Sequence, residues 1–242
     1  MALDPDADLP AVHSQSPGLR KIASWPKLSY RVSNQIRDAI MSGLYIPGRK
    51  LAVEYVASQL AVSSMPVREA FVALANEGML DVLPNRGFAV APISPEDIRD
   101  IFRVHAFIAG VLAERASGVI SAQVVERLRA IQKELEEVAA RGQDRDELAR
   151  IGDLNFEFHR TINKLVASGR LLWFLRAVTS YVPRDVYEAI PGWSLLAVSD
   201  HPGVIKALAD RDPAAARTLT EEHVTKAGER VMEHLAARGF WG

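Results

Sequence analysis

Three histidines in the C-terminal half of the chain lie at positions where their side chains could share one site. His159, His201 and His223 fall on three separate predicted helices, each beside an apolar stripe. Asn155 precedes His159 by one helical turn, so its amide oxygen could join them. Three imidazoles plus an oxygen ligand, with positions left open, suit Zn²⁺, Ni²⁺, Mn²⁺ or Fe²⁺. The alternative is three separate core histidines, each bonded to a backbone carbonyl, and for any one of them alone that interpretation is simpler.

The composition limits what else the chain could do. The 242 residues contain no cysteine, so a disulfide framework and a thiolate metal site are excluded. No apolar run is long enough to span a bilayer, so we expect no membrane partner. The start of the chain is acidic and rich in Pro and Ser, unlike a signal peptide. We therefore expect a cytoplasmic protein with a disordered tail over residues 1–24.

A second group of residues, near position 65, suits binding to DNA. Ser63 or Ser64 could cap a helix, and Pro66 fits the first turn, where no N–H is needed. Apolar residues then recur at helical spacing behind an exposed face that carries Arg68. A recognition helix requires such an apolar back and a small, polar and basic front, because it must pack on a scaffold and fit the major groove.

The distribution of charge agrees with a polyanion partner for this part of the chain. The net charge is only −1, but residues 20–92 carry nine basic and five acidic side chains. That segment is therefore basic, and the rest of the chain is mildly acidic.

Residues 25–92 are predicted to form three helices followed by a hairpin. Leu28 to Met41 and Leu51 to Leu60 have apolar residues at helical spacing, and the recognition helix follows. Residues 79–83 and 88–90 flank a turn that contains Arg86 and Gly87, which predicts a small β-wing. Arg86 at its tip would reach phosphate or the minor groove. The pattern is that of a winged helix-turn-helix.

Residues 93–242 are predicted to be helical throughout. Helices are expected over about 95–117, 121–141, 145–166, 170 into the 180s, 200–209 and 213–238, with a loop at 191–193. An antiparallel bundle of six or seven helices would have a core large enough to enclose a ligand. The fold class expected for the chain is all-α with a small β-wing.

The N-terminal motifs resemble the GntR family of bacterial transcription regulators, in its FadR-like branch. The resemblance covers about residues 28–90 and rests on IxxGxxxPGxxL from Ile40, VSxxPVREA from Val62, LxxEG from Leu74 and RGxxV from Arg86. It implies a homodimer that binds a palindromic operator, with a helical FCD-type domain that binds a small effector. The family often has arginine where this chain has Ser64, so the operator preference is expected to differ. The residues expected to contact DNA are Arg31, Arg49, Ser63, Ser64, Met65, Pro66, Arg68, Arg86 and Gly87.

The resemblance also favours a metal site over separate core histidines. The helical domain of FadR-like regulators often holds a metal ion with one carboxylate and three histidines, which correspond here to Asn155, His159, His201 and His223. Asn155 replaces the family's aspartate, and this neutral ligand should weaken metal binding. Relatives often have an effector-facing arginine where this chain has His105, which could line the pocket, add a ligand or pack in the helix interior. Arg103 and Arg184 are further candidates to bind an anionic effector.

We therefore expect a metabolite-responsive repressor rather than an enzyme, with a small carboxylate as effector at or near a divalent transition metal. Two alternatives stay open at this point. One is the same regulator without a metal, with an organic effector held by the histidines. The other is a metal-dependent hydrolase, which lacks a well-placed general base because Glu157 should point away from His159.

Overall fold

A computed structural model of the chain describes residues 28–84, 87–142, 144–182, 186–187, 190 and 192–241. The predicted tail over residues 1–24, and with it His13, lies outside these residues. The described part consists of a winged domain up to residue 92 and a helical domain after it.

The winged domain is built on three helices, which are α1 (Leu28–Met41), α2 (Val53–Gln59) and α3 (Ser64–Asn76). Helix α1 has the bounds expected from its periodicity and buries Val32, Ile36 and Ile40 on one face. Gly43 follows it with φ +78°, the left-handed conformation that ends a helix at low cost when the residue is glycine. On α3 the fully buried Phe71 packs edge-to-face on Phe88 of the wing.

A three-stranded antiparallel sheet completes the winged domain. Strands β1 (Lys50–Leu51), β2 (Leu80–Leu83) and β3 (Gly87–Val90) lie in the order β1-β3-β2, with Leu80 opposite Val90 and Lys50 opposite Ala89. The hairpin agrees with the prediction, but the helix predicted from Leu51 is wrong at its start. Leu51 pairs with β3 instead, and α2 begins only at Val53.

The helical domain contains six described helices. They are α4 (Pro95–Val119), α5 (Ala122–Arg141), α6 (Arg145–Asn163), α7 (Gly169–Thr179), α8 (Trp193–Ala209) and α9 (Pro213–Ala237). Helices α4 and α6 each begin with a capping box, formed by Ser94 with Asp97 and by Asp144 with Glu147. The buried stripe of α5, which includes Leu128 and Leu135, packs on the buried faces of α6 and α8.

Helix α8 begins seven residues earlier than its predicted start at Asp200. Residue 193 was assigned to a loop, but Trp193 is the first residue of the helix and is buried. Gly192 precedes it in the left-handed conformation, with φ +72°. As a result Pro202 lies in the middle of the helix rather than near its N-terminus.

The two domains share one continuous hydrophobic core. Met79 and Val90 of the winged domain belong to the same buried cluster as Phe102 of α4 and Val231 and Leu235 of α9. Just beyond α9, the indole Nε1 of Trp241 donates to the carbonyl of Ile93 in the interdomain linker, at 2.7 Å. Among the described helices, none is long and apolar enough to cross a membrane.

Candidate metal and effector site

The fold brings His159, His201 and His223 together inside the helical domain; we call these residues the histidine cluster. They come from α6, α8 and α9, and one ring nitrogen from each lies within 4.8 Å of the others. Their ring centroids are 5.3 Å (His159–His201), 5.2 Å (His159–His223) and 4.9 Å (His201–His223) apart. Nitrogens that share one ion at about 2.1 Å are at most about 4.2 Å apart, so only a small inward movement would let them bind the same cation.

Burial keeps two of the three rings in the form that binds cations. Desolvation lowers the pKa of His159 and of His201 well below the usual histidine value, and neighbouring histidines of the cluster lower both further. Both rings are therefore neutral at physiological pH and carry a free lone pair, as a metal ligand must.

Two residues outside the histidine cluster each make a hydrogen bond with Nδ1 of one of its rings. Oε1 of Gln132 on α5 lies 3.1 Å from Nδ1 of His201, and Oδ2 of Asp200 lies 3.4 Å from Nδ1 of His223. Asp200 also accepts from Lys226 at 3.2 Å. The bond from His223 is the main reason that the pKa of Asp200 falls to about 2. Carboxylate or carbonyl acceptors behind ligand histidines are common in metal sites, where they fix the ring orientation.

Buried polar atoms without a partner concentrate at this site. Among the described residues, four buried side-chain polar atoms lack a hydrogen bond, and three belong to the helical domain. They are Nε2 of His201, Oδ1 of Asn155 and Oγ1 of Thr220. Asn155 lies one turn before His159 on α6, and Thr220 lies one turn before His223 on α9. A ligand that occupied this site would remove the cost of leaving such atoms unsatisfied.

His105 lies beside the cluster but outside the set of three nitrogens. Burial, and to a smaller extent the neighbouring His223, lowers its pKa to about 4. Its ring is 6.1 Å from that of Phe102, which in turn meets Tyr187 edge-to-face. His105 is thus a neutral side chain at the edge of the site, where it can donate one hydrogen bond and accept another.

The two arginines predicted to bind effector do not join this group in the described structure. Arg103 is solvent-exposed, and its guanidinium pairs with Glu96 at 3.1 Å and Asp100 at 2.8 Å. Its side chain projects from the outer face of α4, although His105 follows two residues later. Arg184 lies outside the described residues.

Sequence reasoning missed Gln132, Asp200 and Thr220. A signal was available for Gln132, because it falls on the apolar stripe of α5, one turn after Leu128. A long polar side chain on such a face needs a buried partner. Asp200 and Thr220 lie within one turn of a cluster histidine but interrupt no predicted stripe.

The exposed end of α3 carries the residues predicted to read DNA. Ser63 is the N-cap and, with Ser64, Met65 and Arg68, is exposed, while Pro66 is half-buried in the first turn. The expected capping bond from a serine side chain is absent, since Ser63 is at the N-cap but accepts no N–H from the first turn. Arg31 on α1 and Gly87 at the start of β3 are also exposed.

The basic residues of the winged domain differ in their surroundings. Arg49 donates to the carbonyl of Leu44 at 3.2 Å and lies over the ring of Tyr45, so its guanidinium is already engaged within the domain. Arg37 is buried and pairs with Glu77 at 2.6 Å, which makes it a structural residue. Arg86 lies outside the described residues.

Comparisons with known proteins match both domains. Residues 28–90 match the model of the bacterial regulatory proteins, gntR family, and residues 100–226 match the FCD domain. An HTH-type transcriptional regulator of Agrobacterium vitis is 31% identical over 127 residues, which cover 52% of this chain and 74% of the relative. The HTH-type transcriptional repressor RspR of Escherichia coli K12 is 26% identical over 216 residues, covering 88% of this chain and 91% of the repressor.

The fold also agrees with a solved structure. The structure of E. coli McbR/YncC superposes with a TM-score of 0.65 at 21% identity, covering 86% of this chain and 99% of that one. With both domain matches, this chain belongs to the GntR family, in the FadR-like branch that joins a winged helix-turn-helix to an FCD domain, and it is a DNA-binding transcriptional regulator rather than an enzyme.

Proposed function

We propose that this regulator is a homodimeric repressor that binds a palindromic operator and releases or retains it in response to a small carboxylate bound beside a divalent metal ion. The observation that carries the proposal is the histidine cluster, in which three ring nitrogens lie within 4.8 Å of one another. Isolated core histidines would each be expected to satisfy both nitrogens with local partners. Instead, Nε2 of His201 is buried without one among the described residues.

The donor set fits a borderline transition metal such as Zn²⁺, Ni²⁺, Mn²⁺ or Fe²⁺. His159, His201 and His223 would supply three nitrogens, and Asn155 would supply a neutral oxygen from its unpartnered Oδ1. A bound cation would offer open coordination positions to a carboxylate. The protein would then add His105 as a neutral hydrogen-bonding group and Thr220 as a hydroxyl for the rest of the effector.

Binding to the operator would use the exposed end of α3. Arg68 and the small side chains of Ser63 and Ser64 would enter the major groove, and the wing would follow the flanking phosphates. A palindromic operator requires two copies related by a two-fold axis. The outer faces of α4 and α7 suit such a contact, because Phe107, Trp173 and Phe174 are more than half exposed there.

Helix α9 is suited to carry the effector signal to the winged domain. It bears His223 and Thr220 in its first half, and Val231 and Leu235 near its end lie in the core shared with the winged domain. An effector that prefers one position of α9 would favour one spacing of the two winged domains. To change operator occupancy strongly, it must bind that arrangement much more tightly than the other.

The metal part of the proposal is tested by elemental analysis of protein purified without a histidine tag. Wild-type protein, loaded with Zn²⁺ or Ni²⁺ and then dialysed, should keep about one ion per chain. The variant His201→Gln/His223→Gln should lose most of it, whereas His234→Gln, on α9 but outside the cluster, should keep it. Equal metal content in all three proteins would remove the metal from the proposal.

The metal-free alternative, with an organic effector held by the histidines, makes a different prediction. Small carboxylates would then raise the unfolding temperature equally with and without a chelator, because linkage to the folded state would not involve a cation. If the metal takes part, the chelator should abolish that shift. The repressor part is tested separately, by transcription from the cognate promoter with and without the protein.

A further inference from the structure

Pro202 stands in the interior of α8, directly after His201. Proline has no N–H, so it cannot bond to the carbonyl one helical turn earlier, which belongs to Val198. That carbonyl accepts a hydrogen bond from another helix instead. Nε2 of Gln132 on α5 donates to it at 3.2 Å.

This bond determines which way the Gln132 amide faces. A backbone carbonyl can only accept, so the atom 3.2 Å from Val198 O must be the nitrogen of the amide. The same nitrogen donates its second hydrogen to Glu136 Oε1 at 2.8 Å. The side chain is buried, and both donor positions are used, so Oε1 must face the other side. There it lies 3.1 Å from Nδ1 of His201.

The orientation of the amide in turn determines the tautomer of His201. An amide oxygen only accepts, so a neutral His201 must carry its proton on Nδ1 and a lone pair on Nε2. Phe158 stacks on the same ring with centroids 3.8 Å apart and planes 5° from parallel, which restricts rotation of the imidazole. Nε2 is the buried atom that has no partner among the described residues.

We infer that Pro202 and Gln132 together set the tautomer of His201, so that Nε2 is presented to the histidine cluster with its lone pair free. Gln132 is thus a positioning residue, and Pro202 acts by freeing the carbonyl that orients it. Only the identity of what Nε2 binds rests on the proposed function. The tautomer is a property of the metal-free protein and does not depend on a bound ion.

The test is long-range ¹H–¹⁵N correlation of the ring nitrogens in metal-free, full-length protein at pH 7.5. The His201 signals are assigned by their loss in His201→Gln. Wild-type protein should show one tautomer with the proton on Nδ1. Gln132→Met removes the acceptor and should populate the Nε2–H form. Gln123→Met, at an exposed glutamine of the same helix, should leave the wild-type pattern.

Pro202→Ala tests the role of the proline with the buried glutamine left in place. The new N–H competes with the Gln132 amide for Val198 O, so one of the two anchors of the amide weakens and a mixture of tautomers is expected. Alanine favours the helix, so this variant remains informative if Gln132→Met fails to fold. A single Nδ1–H tautomer in Pro202→Ala overturns the role of the proline. An Nε2–H tautomer in the wild type, or an unchanged spectrum in folded Gln132→Met, overturns the whole inference.

Zn²⁺ competition titrations separate this inference from the proposed function. If the wild type binds Zn²⁺, Gln132→Met should bind it about 10- to 100-fold more weakly, as expected when the partner behind a ligand histidine is lost. Unchanged affinity would contradict the positioning role. If no protein binds Zn²⁺ but the tautomer shifts as described, the inference stands and the metal part of the proposed function fails.

Discussion

The guanidinium of Arg238 donates from Nη1 to the backbone carbonyl of Ser42 at 3.0 Å, and this bond joins the end of the helical bundle to the end of the first helix of the winged domain. Trp241 makes a second bond nearby, to Ile93 of the linker. Phe240, between them, is buried in the shared core. The last described residues of the chain therefore contact both domains and connect them.

Loss of the contact between Trp241 and Ile93 should weaken the coupling between the domains. We expect Trp241→Ala to lower the free energy of unfolding by about 2–3 kcal/mol, because it removes a partly buried aromatic ring and a hydrogen bond. Calorimetry should then resolve two transitions where the wild type has one. Arg230→Ala, at an exposed residue of α9, should stay within about 0.5 kcal/mol. A single, equally stable transition in Trp241→Ala would show that the contact does not couple the domains.

Asn155→Asp should strengthen metal binding. Oδ1 of Asn155 is buried without a hydrogen-bond partner among the described residues, and a carboxylate there would add a negative charge beside the imidazoles. We expect affinity for Zn²⁺ or Mn²⁺ to rise about tenfold or more, measured by competition with a chromophoric chelator. Without metal the same variant should be less stable than wild type at neutral pH, because the new charge is desolvated. Unchanged affinity would mean that residue 155 does not face the ion.

Acid should destabilise the metal-free protein before any carboxylate titrates. The folded-state pKa of His105 is about 4, and those of His159 and His201 are also lowered, so below pH 6.5 the unfolded chain binds more protons than the folded one. Each such histidine then removes about 1.4 kcal/mol of stability per pH unit, until pH reaches its folded-state pKa.

Urea unfolding from pH 7.5 to 5 measures this effect. In the variant His105→Asn the free energy of unfolding should depend less steeply on pH, because up to one proton fewer is taken up on unfolding. His234→Asn should differ much less from the wild type. A stability that stays constant down to pH 5 in metal-free protein would contradict the neutral, buried state of these rings.

Substitution of Arg68 should weaken DNA binding, whereas substitution of Arg37 should lower the stability of the fold. Arg68→Ala removes an exposed cation from the recognition helix, and we expect operator binding to weaken by about 1–3 kcal/mol with helical content unchanged. Arg37→Ala breaks a pair in which the arginine is buried, so it should lower stability instead. Fluorescence anisotropy with operator DNA measures the first effect and thermal unfolding followed by circular dichroism measures the second. Arg160→Ala, in the helical domain, is the control that should change neither. Wild-type affinity in Arg68→Ala would exclude it from the interface.

Substitution of the exposed aromatic residues of α7 tests whether they form the dimer interface. Trp173→Ser/Phe174→Ser should shift the protein toward monomer in light scattering at micromolar concentration, because it removes apolar surface that is more than half exposed in one chain. Leu195→Ser, at an exposed residue of α8, is the matched control. A dimer equally stable in the double variant would place the interface elsewhere.

The periodic helices and the turn-bounded hairpin were predictable from the sequence, but a two-residue strand and the start of one helix were not. Helix α1 was predicted with its observed bounds because Val32, Ile36 and Ile40 recur one turn apart and Gly43 ends it. Strand β1 was missed because two residues carry no alternation, and its conformation is imposed by pairing with β3. The start of α8 was missed because Pro191 and Gly192 are typical of a loop.

The histidine cluster was partly predictable. Its members could be proposed from residue type and from their places beside apolar stripes, but which residues orient them could not. Gln132 is distant in sequence from the ring it holds, and its amide also bonds to Val198 O, a carbonyl that receives no helical N–H from Pro202. That relationship exists only once α5 and α8 are packed together.

The length of α9 has a mechanical consequence. The helix rises about 1.5 Å per residue, so His223 and Arg238 lie about 22 Å apart along it. A rigid rod pivoting near the cluster by about 5° would displace its far end by about 2 Å, roughly half the spacing between neighbouring strands of a sheet. A small displacement at the histidine cluster could therefore become, at the far end of the helix, a movement large enough to misalign a recognition helix with its groove.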